Sequence, residues 1–360
     1  MTDRYQLSQT WRWNLENAPQ LPKEKVVAEN FPGNWSWCGL SVDSPLGIAA
    51  GPLLNSRWLL YYADLGYDIL VYKTVRSSAR ECYPLPNLVP VEGSQLLVAD
   101  TTVRAISQMT GSWAVSFGMP SVDPEQWRRD IEFARANLPS GKRLVVSVVG
   151  SQMPGEADGH RMLDQLADDF ATCARWAVES GADGVEANFS CPNVSTADGQ
   201  LYHQPQLSGF VAERIRAAIG DSALVLKIGF MEDEHQADDL LRYTSPFING
   251  LAMTNTVSAR VSTGDRLLFD GQLRGICGDA IRKASLQQVA NFRRRMDALA
   301  MPLDLIGIGG ISSGAHVRQY LDAGATSVAM ASSAMTDPQA GVRLRKELKA
   351  FRHHSSTNPT

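Results

Sequence analysis

Gly184-Val185-Glu186-Ala187-Asn188-Phe189-Ser190-Cys191-Pro192-Asn193 is the stretch that decides how this chain is read. A short strand-like run ends in an amide, and a cysteine follows on a loop punctuated by proline. If 184–188 is a strand, its open end carries one ionisable thiol between two amides, Asn188 and Asn193. Such a group suits removal of a proton from a small planar substrate. A thiol has an ordinary pKa of about 8.5, close enough to neutrality to serve as a base, and a nearby cation helps it ionise. Free cysteines are more often small core hydrophobes, but Ser190 and Pro192 on either side argue for a loop.

Seven further runs of the same kind flank this one, at 46–50, 69–73, 144–149, 224–228, 250–254, 305–308 and 327–330. Most are short and rich in Val, Ile and Leu, as parallel strands buried on both faces should be. Helical periodicity fills several gaps. Trp127, Ile131, Ala134 and Leu138 recur at the 3.6-residue period, as do Leu163, Leu166, Phe170, Cys173 and Ala177. Leu286, Val289, Met296 and Leu299 continue the pattern before the seventh run. Eight strands with helical connections specify an α/β protein, a single (β/α)₈ TIM barrel. A doubly wound dinucleotide-binding sheet would need a G-x-G-x-x-G turn after an early strand, and the chain has none. Residues 1–36 read as an N-terminal extension, 37–352 as the barrel and 353–360 as a tail. The connection from Thr74 to the helix near Asp123, about 50 residues, is far longer than an ordinary loop and is expected to cover part of the C-terminal face.

Composition narrows the class. The chain has 360 residues, 44% hydrophobic, with a net charge of −4 and no block of like charges, which speaks against nucleic acid or an anionic membrane as partner. No apolar stretch approaches the length of a membrane span. The five cysteines are scattered without a CxxC pair, so neither a metal site nor a disulfide framework is expected, and a reducing cytoplasm is the natural compartment.

Chemistry in a barrel belongs at the C-terminal ends of the strands. Those ends read Ala49-Ala50-Gly51, Lys73-Thr74, Gly150-Ser151, Asn188, Lys227, Thr254-Asn255-Thr256, Gly309-Gly310 and Ala331-Ser332. Gly309-Gly310 is expected to open a helix and Ala331-Ser332 a second turn, together a cradle for a phosphate. A lysine at a strand end either snorkels to the rim or faces an anion. Two of them, Lys73 and Lys227, around a phosphate-bearing cofactor favour the second role. A lysine beside a flavin's N1–C2 carbonyl would stabilise the anionic reduced ring. Cys82 and Cys277 fall in a loop and a glycine-flanked turn, where either could lie near a site. Arg293-Arg294-Arg295 reads as a solvated helix face.

These segments resemble the dihydroorotate dehydrogenases. The matching stretches are Ser44-Pro45-Leu46-Gly47-Ile48-Ala49-Ala50-Gly51, Tyr72-Lys73-Thr74-Val75, Asn188-Phe189-Ser190-Cys191-Pro192-Asn193, Leu226-Lys227-Ile228, Thr254-Asn255-Thr256 and Ile308-Gly309-Gly310-Ile311. They run in family order across roughly 37–345. The resemblance implies a barrel that binds FMN through Ala49, Ala50, Gly51, Lys73, Thr74, Asn188, Lys227, Thr256, Gly278, Gly309, Gly310, Ala331 and Ser332. It implies Cys191 as the base, as in the family's soluble class. Lys73, Asn188, Asn193, Asn255 and Thr256 would hold a pyrimidine. The implied reaction is oxidation of dihydroorotate to orotate: Cys191 takes the C5 proton and a hydride passes from C6 to flavin N5. A small-molecule substrate and a possible homodimer follow from the same resemblance, while no metal and no membrane anchor are expected from the residue spacing and the lack of a long apolar stretch.

One segment departs from the family pattern. Where the family carries Asn-Ser-Met-Gly-Leu-Pro, this chain has Val115-Ser116-Phe117-Gly118-Met119-Pro120. Valine cannot make the amide contact, so an FMN enzyme acting on another dihydropyrimidine is the alternative. A tRNA dihydrouridine synthase would add a helical RNA-binding domain after the barrel and a more basic balance. A barrel that binds a phosphate ligand without redox chemistry shares the fold alone.

Overall fold

The computed structural model describes residues 4–20, 30–31, 33–93, 95–96, 101–151, 159–190 and 197–355. Eight parallel strands close into a barrel: β1 (Leu46–Ile48), β2 (Ile69–Val75), β3 (Arg143–Val148), β4 (Gly184–Asn188), β5 (Ala223–Lys227), β6 (Gly250–Met253), β7 (Asp304–Ile308) and β8 (Ser327–Met330). They are hydrogen-bonded in chain order, and β8 returns to β1, with Val328 opposite Leu46. The expected strands and fold class are all present, with boundaries moved by one or two residues. Nearly every strand residue is buried, because helices cover the outside and side chains fill the inside. Val71, Val145, Val225, Ile306 and Ala329 pack together as an inner cluster.

The N-terminal end of the barrel is plugged by an antiparallel pair, Trp35–Trp37 with Leu40–Val42. Trp37 and Val42 join the inner cluster, and a Cβ on Gly184 would lie 2.8 Å from the Trp37 ring. Beside the plug, Asp68 is fully buried and receives Lys142 Nζ at 2.6 Å, with the Ser44 hydroxyl and Arg345 also donating to it. Arg345 Nε also donates to the Gly66 carbonyl at 2.7 Å. This network ties the helix Ala340–Ser355 to the start of β2.

Two excursions rise from the C-terminal end. The long connection after β2 is not a simple loop: it contributes strands Leu88–Pro90, Thr101–Arg104 and Ser112–Val115. A second excursion after β6, which the sequence reading left unrecognised, contributes Val257–Thr263, Arg266–Leu267 and Arg274–Gly278. The two interleave in one six-stranded sheet, with Ile276 opposite both Val257 and Ala114. Cys277 therefore lies in a strand and not in the expected turn. Gly278 is where the excursions approach most closely. Its φ is +88°, and a Cβ there would sit 2.0 Å from the Gly111 carbonyl oxygen, so only glycine fits.

Within the N-terminal extension, Thr10 caps the helix Trp11–Glu16, whose Trp11 and Leu15 side chains are buried in the main core. Trp58 Nε1 donates to the Asn14 carbonyl at 2.9 Å and Asn55 Nδ2 to the Leu15 carbonyl at 2.7 Å. These bonds anchor the helix on the first barrel helix, Ser56–Asp64. Among the described residues, no helix is long and apolar enough to cross a membrane.

Candidate active site

Two joined cavities lie at the C-terminal rim, between the barrel and the interleaved sheet. The first has a polar floor from the strand ends: Lys73, Thr74, Asn188, Lys227, Asn255 and Thr256, beside Ala49, Ala50 and Gly51. Its walls are apolar, built from Trp113, Val115, Phe117 and Met119 of the first excursion, with Leu88, Leu54, Met335 and Trp11. The second cavity is lined by Gly278, Gly309, Gly310, Ile311 and Ser333, and shares Ala331, Ser332, Asn255 and Cys277 with the first. The described residues expected to contact a flavin or a pyrimidine therefore border one or other of these cavities, whereas Cys82, Gly150, Ser151 and Thr254 border neither. Cys191 and Asn193 lie outside the described residues.

Local structure explains why these side chains converge. Strand alternation sends residues two apart to the same face, so Lys227 follows Val225 into the interior. Lys73 is held where its backbone N–H donates to the Leu53 carbonyl at 2.9 Å. Thr74 Oγ1 and Ser147 Oγ lie 3.0 Å apart, pairing the ends of β2 and β3. Asn188 Oδ1 accepts the Ser190 N–H at 3.1 Å, and Asn255 Nδ2 donates to the Ser190 carbonyl at 3.0 Å. Two amides, one ending β4 and one in the turn after β6, thus fix Ser190, the residue immediately before Cys191. Gly275 packs so tightly over Thr256 that a Cβ would come within 2.6 Å of its hydroxyl.

The glycine turn differs from the sequence expectation. Gly309 and Gly310 adopt φ of +138° and +63°, but the helix begins only at Gly314. Ser313 caps that helix, accepting the His316 N–H, and Glu347 accepts the Gly314 N–H. The helix end is therefore already satisfied, and it is the turn itself that borders the second cavity. After β8, by contrast, Ala331 precedes the short helix Ser332–Thr336 without offering any capping side chain.

Two buried charges face each other, one at the floor and one beneath it. Lys227 Nζ lies 3.6 Å from Glu186 Oε1, with the two side chains 2% and 4% exposed. Glu186 Oε1 has no hydrogen-bond partner among the described residues. Burial pushes the Cys277 thiol upward, outweighing its contact with Ser332 Oγ at 3.4 Å. Burial also pushes Cys82 up to about 11, against the pull of Lys73. Both thiols stay protonated at neutral pH. No group of side chains able to hold a metal ion occurs among the described residues.

Sequence reading missed the apolar half of the site. Trp11 sits in a polar stretch with no periodicity, and Trp113 and Phe117 lie in a segment taken for a loop. Glu186 stood inside the quoted motif but had no visible partner. Period-two alternation in 112–115 was the one signal available.

Comparison with known proteins agrees with the geometry. The family described as dihydroorotate dehydrogenase matches residues 113–351. A dihydroorotate dehydrogenase of Dictyostelium discoideum is 32% identical, over 93% of this chain and 94% of that protein. The catalytic subunit of a dihydroorotate dehydrogenase B (NAD(+)) from Desulforudis audaxviator is 25% identical, covering 87% of this chain and 90% of that one. A dihydroorotate dehydrogenase (quinone) of Psychrobacter cryohalolentis is 26% identical, over 82% of this chain and 78% of that protein. The fold matches a crystal structure of the Eimeria tenella enzyme in complex with ferulenol, with a TM-score of 0.70 at 17% identity over 90% of this chain and 85% of that one. A closed barrel with its polar strand ends gathered under one cavity, and relatives that span almost the whole chain, lead to the same conclusion: the protein belongs to the dihydroorotate dehydrogenase family.

Proposed function

We propose that this chain is an FMN-dependent dihydroorotate dehydrogenase that oxidises dihydroorotate to orotate at the C-terminal rim. One observation carries the reading: Lys73, Asn188, Asn255, Thr256 and Lys227 share the floor of a single cavity in a member of this family. The donor set fits FMN. A flat apolar compartment with two lysines at its floor suits a flavin ring. The adjoining compartment, lined by the glycine turn, Ser332 and Ser333, suits a phosphate. Ala49, Ala50, Gly51 and Thr74 would border the ring, with Gly278, Gly309, Gly310, Ala331 and Ser332 toward the phosphate. The chemistry supplied by FMN is two-electron oxidation through its N5 position.

The protein's own residues do the rest. Cys191 takes the C5 proton of the substrate. The Asn188 and Asn255 bonds hold Ser190, its neighbour in the chain. Lys73, Asn193 and Thr256 hold the pyrimidine's polar edge, where each buried amide or ammonium left unpaired would cost binding energy. Trp113, Phe117 and Met119 keep water off the opposite side. A cytoplasmic location and a homodimer belong to the same proposal; the first rests on the scattered cysteines and the second on the resemblance.

Val115 favours a second reading. It lines the cavity with an isopropyl group where the family carries an amide, so another dihydropyrimidine is the rival substrate. The test is direct. Flavin released by denaturation is identified by mass, and turnover is compared between dihydroorotate and dihydrouracil. FMN with preferred turnover of dihydroorotate supports the proposal. FMN with preferred turnover of dihydrouracil establishes the rival.

A further inference from the structure

Resting on the FMN reading, we infer that Glu186 is a positioning residue: it sets the charge that Lys227 presents to the cofactor. The argument begins with register. Glu186 lies opposite Val225, and Asn188 opposite Lys227, on the paired strands β4 and β5. Val225 packs in the inner cluster, so this face of both strands points into the barrel. Glu186 therefore sits in the barrel interior, one pleat below Asn188 and below the cavity floor.

A carboxylate is an expensive occupant of that position. The places opposite it on the neighbouring strands are held by uncharged residues, Val225 on β5 and Ser147 on β3, and a buried ion pair is often no more stable than an apolar pair of similar size. The geometry is also poor for a structural salt bridge. At 3.6 Å the contact is too long for a hydrogen bond, and Glu186 Oε1 is left without one. No hydrogen bond from Lys227 Nζ is found among the described residues. Lys227 borders the cavity, whereas Glu186 does not. The pair is thus a buried dipole with its positive end at the floor and its negative end beneath. The carboxylate beneath partly offsets the field of the ammonium above.

The consequence is a tuned reduction potential. Replacing the carboxylate by an amide of the same shape leaves an uncompensated ammonium under the flavin, and that favours the anionic reduced form. The FMN-loaded Glu186→Gln variant should show a more positive flavin potential. It should also bind sulfite, whose flavin adduct is anionic, roughly tenfold more tightly. Glu186→Asp keeps the charge at a greater distance and should shift both readouts in the same direction by less. An E186Q enzyme that binds FMN with unchanged or lowered potential and unchanged sulfite affinity, whatever its thermal stability, would show a structural role only. If E186Q does not fold, an unmoved potential in E186D overturns the inference equally. A wild-type protein that takes up no FMN sinks both this inference and the reading beneath it. One that takes up FMN while E186Q leaves the potential unmoved sinks this inference alone.

Discussion

The two ends of the barrel both bury charge, and they do so differently. At the N-terminal end, Asp68 meets Lys142, Arg345 and Ser44, with its carboxylate oxygens satisfied at hydrogen-bond distance. Beneath the C-terminal rim, Lys227 and Glu186 stand at 3.6 Å, and among the described residues neither Glu186 Oε1 nor the buried Thr254 hydroxyl has a hydrogen-bond partner. Closed networks hold a fold together; open ones leave donors and charge for something that binds. The contrast matches the general division of labour in such barrels, where stability resides at one end and chemistry at the other.

The sharpest way to break this comparison is at the chemical end. Cys191→Ala should lower dihydroorotate turnover by about 10²–10⁴-fold, the usual contribution of a positioned base, with FMN content and melting temperature unchanged. Comparable residual turnover in the variant would move the base elsewhere. The next largest effect belongs to the other end. Asp68→Asn leaves two buried cations short of their counter-charge and should cost about 3–5 kcal/mol in urea unfolding, while kcat per folded molecule stays put. A drop in kcat without a drop in stability would erase the distinction between the two ends.

Smaller effects sharpen the account of the floor. Asn255→Ala removes both bonds to Ser190 and should reduce kcat by about ten- to a hundredfold, since a small misplacement of the reacting group carries that order of loss. Retained flavin with lost turnover would separate this positioning role from a cofactor role. Val115→Asn restores an amide to the wall and should lower KM for dihydroorotate by about fivefold, the worth of one hydrogen bond. An unchanged KM would place the wall's specificity in Phe117 or Met119 instead.

How much of this was legible beforehand follows the same contrast. The barrel was readable because strands buried on both faces are short runs of Val, Ile and Leu, and 46–48, 224–227 and 305–308 show it plainly. The floor was readable because each run ends in a small or polar residue. The roof was not. Thr101–Arg104 is mostly exposed and has no apolar pattern, and it pairs with Val257–Thr263 of a distant excursion. Trp11 reaches the cavity from outside the barrel, on a helix anchored by Trp58 donating to the Asn14 carbonyl and Asn55 to the Leu15 carbonyl, bonds that no spacing announces. Gly309-Gly310 looked like a helix start because turn glycine and cap glycine are indistinguishable in sequence. The structure separates them through Ser313 and Glu347.

The most direct test of the central claim is anaerobic mixing of the purified protein with dihydroorotate while the visible flavin band is followed, for wild type and Cys191→Ala side by side. The account predicts prompt bleaching in the wild type and a band that persists in the variant. A yellow wild-type protein that stays oxidised, or a variant that bleaches as fast, would contradict it.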